Sequence, residues 1–158
     1  MKINGAYLLQ LPRERAYALL QEPAILSRCI PGCDRLDKVG ENEYEMKMKM
    51  AIASIAGLFD GRVKLTDQTP PESFRLLVEG KGKIGFLKGE GVLKLEPAGE
   101  TTNVIYEGDV QIGGTMAAVG QRLLDSTSRM MIKKFFDTFA EAAREVERPG
   151  SVPTQVQT

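Results

Sequence analysis

Apolar residues fall at every second position through most of the first 112 residues of this chain, and then every third or fourth from residue 115. Period two marks a strand with one buried face, and period three to four marks an amphipathic helix. Ile3, Tyr7, Leu9 and Leu11 set the first strand, which Pro12 ends. Two short helices are expected next, over Arg13 to Gln21 and from Pro23 to about Cys29, closed by Pro31-Gly32. Strands then dominate. Arg35–Val39 is short. Tyr44, Met46, Met48, Met50 and Ile52 alternate with Glu45, Lys47 and Lys49. Phe59, Val63 and Leu65, then Phe74, Leu76 and Val78, then Leu93 and Leu95, then Val104, Tyr106, Val110 and Ile112 repeat the pattern between turn-rich breaks. From Thr115, the expected N-cap, to about Glu147 the spacing of Met116, Val119, Leu123, Met131, Phe135 and Phe139 predicts one long helix, with Gly120 tolerated inside it.

That order predicts an α+β fold, a curved antiparallel sheet of about seven strands around a C-terminal helix. One domain over residues 1–147 suits a 158-residue chain, and the polar stretch 148–158 is expected to be a disordered tail. A strongly bent sheet under a single helix is hard to fill with side chains, so a pocket is expected between them. Its lining is nominated by inward parity on the strands: Tyr44, Met46, Met48, Met50, Phe59, Val63, Phe74, Leu76, Leu93, Tyr106 and Val110. The second short helix and the turn after it add Leu26 and Ile30; the long helix adds Leu123, Thr127, Met130 and Met131. A methionine stripe is usually core, yet methionine also suits a pocket that fits varied apolar shapes. Tyr44 and Tyr106 are candidate hydrogen-bond donors to an occupant.

Charge narrows the function. Lys plus Arg and Asp plus Glu both number 21, which lacks the basic excess that phosphate neutralisation requires, so nucleic acid is not an expected partner. The chain has no histidine, which removes the usual general base and the commonest metal ligand. No catalytic residue and no metal site is nominated. Cys29 and Cys33 form neither a Cys-x-x-Cys motif nor a disulfide framework and read as part of a turn. Gly80, Gly82, Gly85, Gly89 and Gly91, with Lys81, Lys83 and Lys88, lack phosphate-loop spacing and read as bends with outward lysines. Arg122, Asp125 and Arg129 sit one helical turn apart: either a solvated ion-pair set, or, for Arg122 and Asp125, a polar contact at the pocket mouth. The opening residues do not read as a signal peptide, and no apolar run approaches a bilayer span, which makes the cytoplasm the expected compartment.

Ile30-Pro31-Gly32-Cys33, Phe59-Asp60-Gly61, Gly80, Gly85-Phe86, Gly89, Gly113-Gly114, Gly120-Gln121-Arg122-Leu123-Leu124-Asp125 and Phe135-Phe136 occur in an order that resembles one family over Met1 to Arg144. This is the family of the carbon monoxide dehydrogenase G-subunit, a branch of the START-like helix-grip (SRPBCC) superfamily. The resemblance implies a non-catalytic accessory protein. It further implies a partner of a molybdenum-dependent hydroxylase, a part in recruiting that enzyme to the inner face of the membrane as a peripheral protein, and a held quinone or lipid-like molecule with no tightly bound cofactor required. This chain departs from the pattern in its short tail, without the C-terminal extension of many relatives, and in Glu22-Pro23, where the family has Asp-Pro. Two rival readings stand beside it. A superfamily enzyme of cyclase or hydrolase type would need an inward acid–base pair. A structural adaptor would have an incidental cavity.

Overall fold

Lys2–Leu9 (β1) opens the chain with alternating exposed and half-buried residues. It pairs antiparallel not with its sequence neighbours but with the last strand, Gly5 opposite Tyr106. Arg13–Leu19 (α1) follows Pro12, and Pro23–Cys29 (α2) starts on its proline, where a missing N–H leaves no helical bond unmade. Gly32, at φ +78°, turns the chain into the sheet. A meander follows: Cys33–Gly40 (β2), Glu43–Ile52 (β3), Ile55–Thr69 (β4), Ser73–Gly82 (β5), Gly85–Ala98 (β6) and Thr101–Gly113 (β7). The computed structural model describes residues 1–147; the tail expected at 148–158 lies outside the described residues.

The seven strands form one antiparallel sheet in the order β1-β7-β6-β5-β4-β3-β2, as the period-two pattern predicts. The final helix, α3 (Gln121–Glu147), is 27 residues and thus about 40 Å long. It rests on α2, on the segment before it, and on β1 and β3 near the two edges of the sheet. Tyr7 of β1 donates a hydrogen bond to Asp137 Oδ1 at 2.6 Å, and Arg28 of α2 pairs with Glu145 at 2.7 Å. Burial first, and then the Asp137 carboxylate, push the Tyr7 phenol up to about 12. The helix therefore crosses the sheet from β1 at one edge toward β3, next to the other edge.

The helix expected to run unbroken from Thr115 is in fact two pieces. Thr115–Val119 is a short 3-10 segment, and Gly120 (φ 97°, ψ 155°) separates it from α3. That backbone region is open essentially to glycine alone, as is Gly114's (φ 79°, ψ −160°). Between these two glycines the segment docks on the β5–β6 hairpin: the Met116 amide donates to the Ile84 carbonyl at 2.8 Å, and Met116 is buried. Thr115 therefore does not cap the long helix; the Gly120 carbonyl accepts its first bond, from Leu124.

Buried side chains gather in two separate clusters. The larger joins Leu9, Leu19, Phe74, Leu95, Val104 and Phe139, at the end of the sheet covered by α1, α2 and the C-terminal half of α3. The smaller joins Met48, Ile52, Phe59, Met116 and Leu124 at the opposite end, beneath the β3–β4 hairpin and the 3-10 segment.

Candidate functional site

A cavity of about 410 Å³ lies between the two clusters. Its strand wall is built from the inward positions of the middle of the sheet, among them Met46, Val63, Leu76, Leu93 and Val110; Met131, Ile132, Phe135 and Phe136 of α3 face them. Leu20, Leu26 and Ile30 contribute from the short helices and the turn after α2.

The hollow has a local cause in β6 and β7. At Gly89, Gly91 and Gly108 the inward positions carry no side chain, and the wall there is backbone. Gly91 and Gly108 oppose each other directly. A Cβ on Gly108 would lie 2.7 Å from the Glu90 carbonyl oxygen, and one on Gly91 would lie 3.0 Å from that of Glu107. The strands approach too closely there for any side chain to occupy the space. Glu90 and Glu107 are exposed and alternate with these glycines, so they stand on the other side of the sheet.

The wall is almost wholly apolar, and its few polar groups have definite places. The Tyr44 hydroxyl donates to the Gln21 carbonyl at 2.7 Å, and burial, aided by Glu22, raises its pKa. That phenol is used in holding α1 to the sheet. The Tyr106 ring stacks on Phe136, centroids 5.7 Å apart, and leans over Gly5, where a Cβ would sit 2.4 Å from its hydroxyl. That hydroxyl has no hydrogen-bond partner among the described residues. Cys29, buried beside this region, has its thiol pushed up to about 11 by burial, which outweighs the opposing pull of Arg28; Cys33 is raised for the same reason. Neither is an activated thiolate. Among the described residues, no group of three His, Cys, Asp or Glu could hold a metal.

The structure brings together on this wall the nominated Leu26, Ile30, Tyr44, Met46, Val63, Phe74, Leu76, Leu93, Tyr106, Val110 and Met131. It places others elsewhere. Met48, Met50, Phe59 and Leu123 belong to the second cluster, beyond the end of the cavity. Parity assigns a face of a strand but no depth along it, so it cannot separate these four from the lining. Thr127 is half-buried on α3 but not on the wall, and Met130 is 54% exposed. Successive helical residues point about 100° apart, so with Met131 turned inward Met130 is carried out toward water. Arg122 and Asp125 are not at the cavity either. They sit on the first turns of α3, past the second cluster, where Arg122 is exposed and Asp125 accepts a bond from Gln121 Nε2 at 2.9 Å. Wall residues missing from the nominated set include Leu20 and Ile132, Val78, which shares the parity of Phe74 and Leu76, and Phe135 and Phe136, which the helical spacing and the family motif both mark. The backbone walls at Gly89, Gly91 and Gly108 have no side-chain signal at all.

On the outer face, cross-strand ion pairs join Lys47 to Asp60 and Arg62 to Glu45, each at 2.6 Å, and Lys81, Lys83 and Lys88 are exposed. Fully solvated pairs of this kind add little stability.

The family model for the G-subunit of carbon monoxide dehydrogenase (CoxG) matches residues 5–144. The chain belongs to the CoxG family. Among solved structures, a conserved protein from Geobacillus kaustophilus is 35% identical, covers 92% of this chain and 97% of its own, and superposes with a TM-score of 0.88. A START superfamily protein from Mycobacterium smegmatis (7% identity, 92% and 98% covered) and the Zhui aromatase/cyclase from Streptomyces sp. R1128 (10%, 94% and 96%) each reach 0.71. The CoxG chain thus has a START-like fold. No curated protein matches it. Among the described residues, no helix is long and apolar enough to cross a membrane.

Proposed function

We propose that this CoxG-family chain is a non-catalytic accessory protein that carries a quinone or lipid-like molecule in its cavity. In this reading it helps couple or recruit a molybdenum-dependent hydroxylase to the membrane, as a cytoplasmic protein touching the inner face peripherally. The observation that carries the reading is the hollow of about 410 Å³, which has apolar walls and, among the described residues, no inward ionisable side chain other than two phenols. A pocket of that size and character falls in the range of small-molecule sites. The association with a hydroxylase is supported by the family's description as the G-subunit of carbon monoxide dehydrogenase, and the membrane role by the resemblance described above alone.

Catalysis of the cyclase or hydrolase type would need an acid–base pair inside the cavity. The Tyr44 phenol is committed to Gln21, and among the described residues the carboxylates at the wall, Glu90 and Glu107, stand on the outer face, which weighs against a catalyst.

Native mass spectrometry and solvent extraction of protein purified without detergent test the carrier reading. A retained neutral lipid or quinone is the expected result. Adding a quinone analogue at about a hundred times its Kd should raise Tm by about 5–10 °C, through roughly 2.7 kcal/mol of linkage. A protein with nothing to extract and a Tm indifferent to such analogues would overturn it.

A further inference from the structure

The chain has seven methionines, and six of them (Met1, Met46, Met48, Met50, Met116 and Met131) lie in the smaller cluster that closes one end of the cavity. The other end is closed by Leu9, Leu19, Phe74, Leu95 and Phe139, branched or aromatic side chains with no methionine among them. The two ends therefore differ in stiffness. Methionine is unbranched, with three rotatable bonds and a polarisable sulfur, and it rearranges around a guest where leucine or phenylalanine would have to leave its rotamer. Met46 and Met131, with Ile30, belong both to this cluster and to the cavity wall, so methionine side chains run from the wall into a cluster that also holds Ile52, Phe59 and Leu124.

The cover of this end is similarly adaptable. Met116 is carried by the 3-10 segment, which is strung between Gly114 and Gly120 in backbone conformations that only glycine holds readily. At Gly120 a Cβ would meet nothing within 4 Å, so the joint is not packed in place. The segment is held by the burial of Met116, by Val119 packed on the same cluster, by the amide bond to Ile84, and at Gly114, where a Cβ would meet Gly85 Cα at 2.6 Å; the Gly120 end is the looser joint.

We infer that the methionine cluster is an extension of the binding site, and that the occupant is a neutral molecule with a head lodged in the cavity and a linear apolar tail. The tail enters among Met48, Met50 and Met116 by displacing their side chains. This rests on the carrier reading above and adds to it the shape of the ligand.

A series of 2-n-alkyl-1,4-naphthoquinones with tails of two to twelve carbons, competed against Nile red on the full chain, tests the inference. Each methylene that enters the cluster should tighten binding by up to about fourfold, and the gain should continue after the cavity itself is full. The triple variant M48L/M50L/M116L keeps the volume but stiffens the plug. It should bind the two-carbon analogue as the parent does and the twelve-carbon analogue at least tenfold more weakly. If the triple variant melts early, M50L alone, at a half-buried position, gives the same comparison with a smaller difference. Equal tail dependence in parent and variant would overturn the methionine extension while leaving the carrier reading intact. Failure of every analogue, short or long, would overturn both.

Discussion

Gly108 and Gly80 both interrupt inward-facing strand positions, and the structure separates their roles. A methyl group at Gly108 would press on the backbone oxygen of Glu90 at 2.7 Å, where nothing can move aside cheaply. At Gly80 the nearest atom would be Phe59 Cδ2 at 3.4 Å, an ordinary contact. Gly108→Ala should therefore cost about 1–3 kcal/mol in urea unfolding, while Gly80→Ala stays within about 0.5 kcal/mol. The sequence shows both as glycines in step with inward-facing strand residues and cannot tell them apart, because the distinction depends on how closely another strand approaches. Tyr44 teaches the same lesson. Its inward direction is legible from parity, but its partner, the Gln21 carbonyl, comes from a segment that sequence spacing does not place. Cys29 adds a pH effect. A thiol held neutral up to about 11 in the fold, but ionising from 9.0 once unfolded, favours the folded state below that window. Stability should decline as pH rises from 9 toward 11, and the decline should be shallower in Cys29→Ala, as thermal melts across that range would show.

Among the elements, α3 is the easiest to foresee, and yet its start departs from the expectation. A run of apolar residues at helical spacing is legible at any distance, whereas Gly120 inside such a run reads only as a weak helix former. The two readings predict opposite signs. In a continuous helix Gly120→Ala would stabilise by about 1 kcal/mol. With φ at 97° and ψ at 155° it should instead destabilise by about 1–3 kcal/mol, since alanine is poorly accommodated there. Chemical unfolding of that one variant decides between them. The strands, by contrast, are legible through their middles, because an antiparallel sheet with one wet face writes its alternation directly into the chain, but not to their ends: β4 (Ile55–Thr69) runs on past both ends of the Phe59–Leu65 pattern. Which helical residue of an adjacent pair turns inward, Met130 or Met131, depends on the helix's rotation about its axis, and that is set by contacts such as Tyr7 with Asp137.

At the level of the whole molecule, the curved sheet and its covering helix follow from the order of periods, and a pocket between them from the difficulty of filling such a space. The division of the interior into two clusters with a hollow between them does not follow, because every inward residue looks alike until its height in the stack is known. The hollow has a mechanical signature. Val78 lines it, and Val78→Phe places added volume where a void waits. In a tightly packed interior that enlargement costs about 1–3 kcal/mol. Here it should change stability by less than about 1 kcal/mol while abolishing retention of an apolar guest, measured by melting and by extraction of the same sample.

The pairing of β1 with β7 sets a timetable for the newborn protein. Gly5 must wait for Tyr106 to emerge from the ribosome before it finds its place, and Tyr7 must wait longer still for Asp137. Every other strand meets its neighbour within a hairpin's reach, so the meander can form early while its first strand hangs free. The vessel is thus sealed last by β1 and α3 together, and no cargo can be enclosed until both have been made.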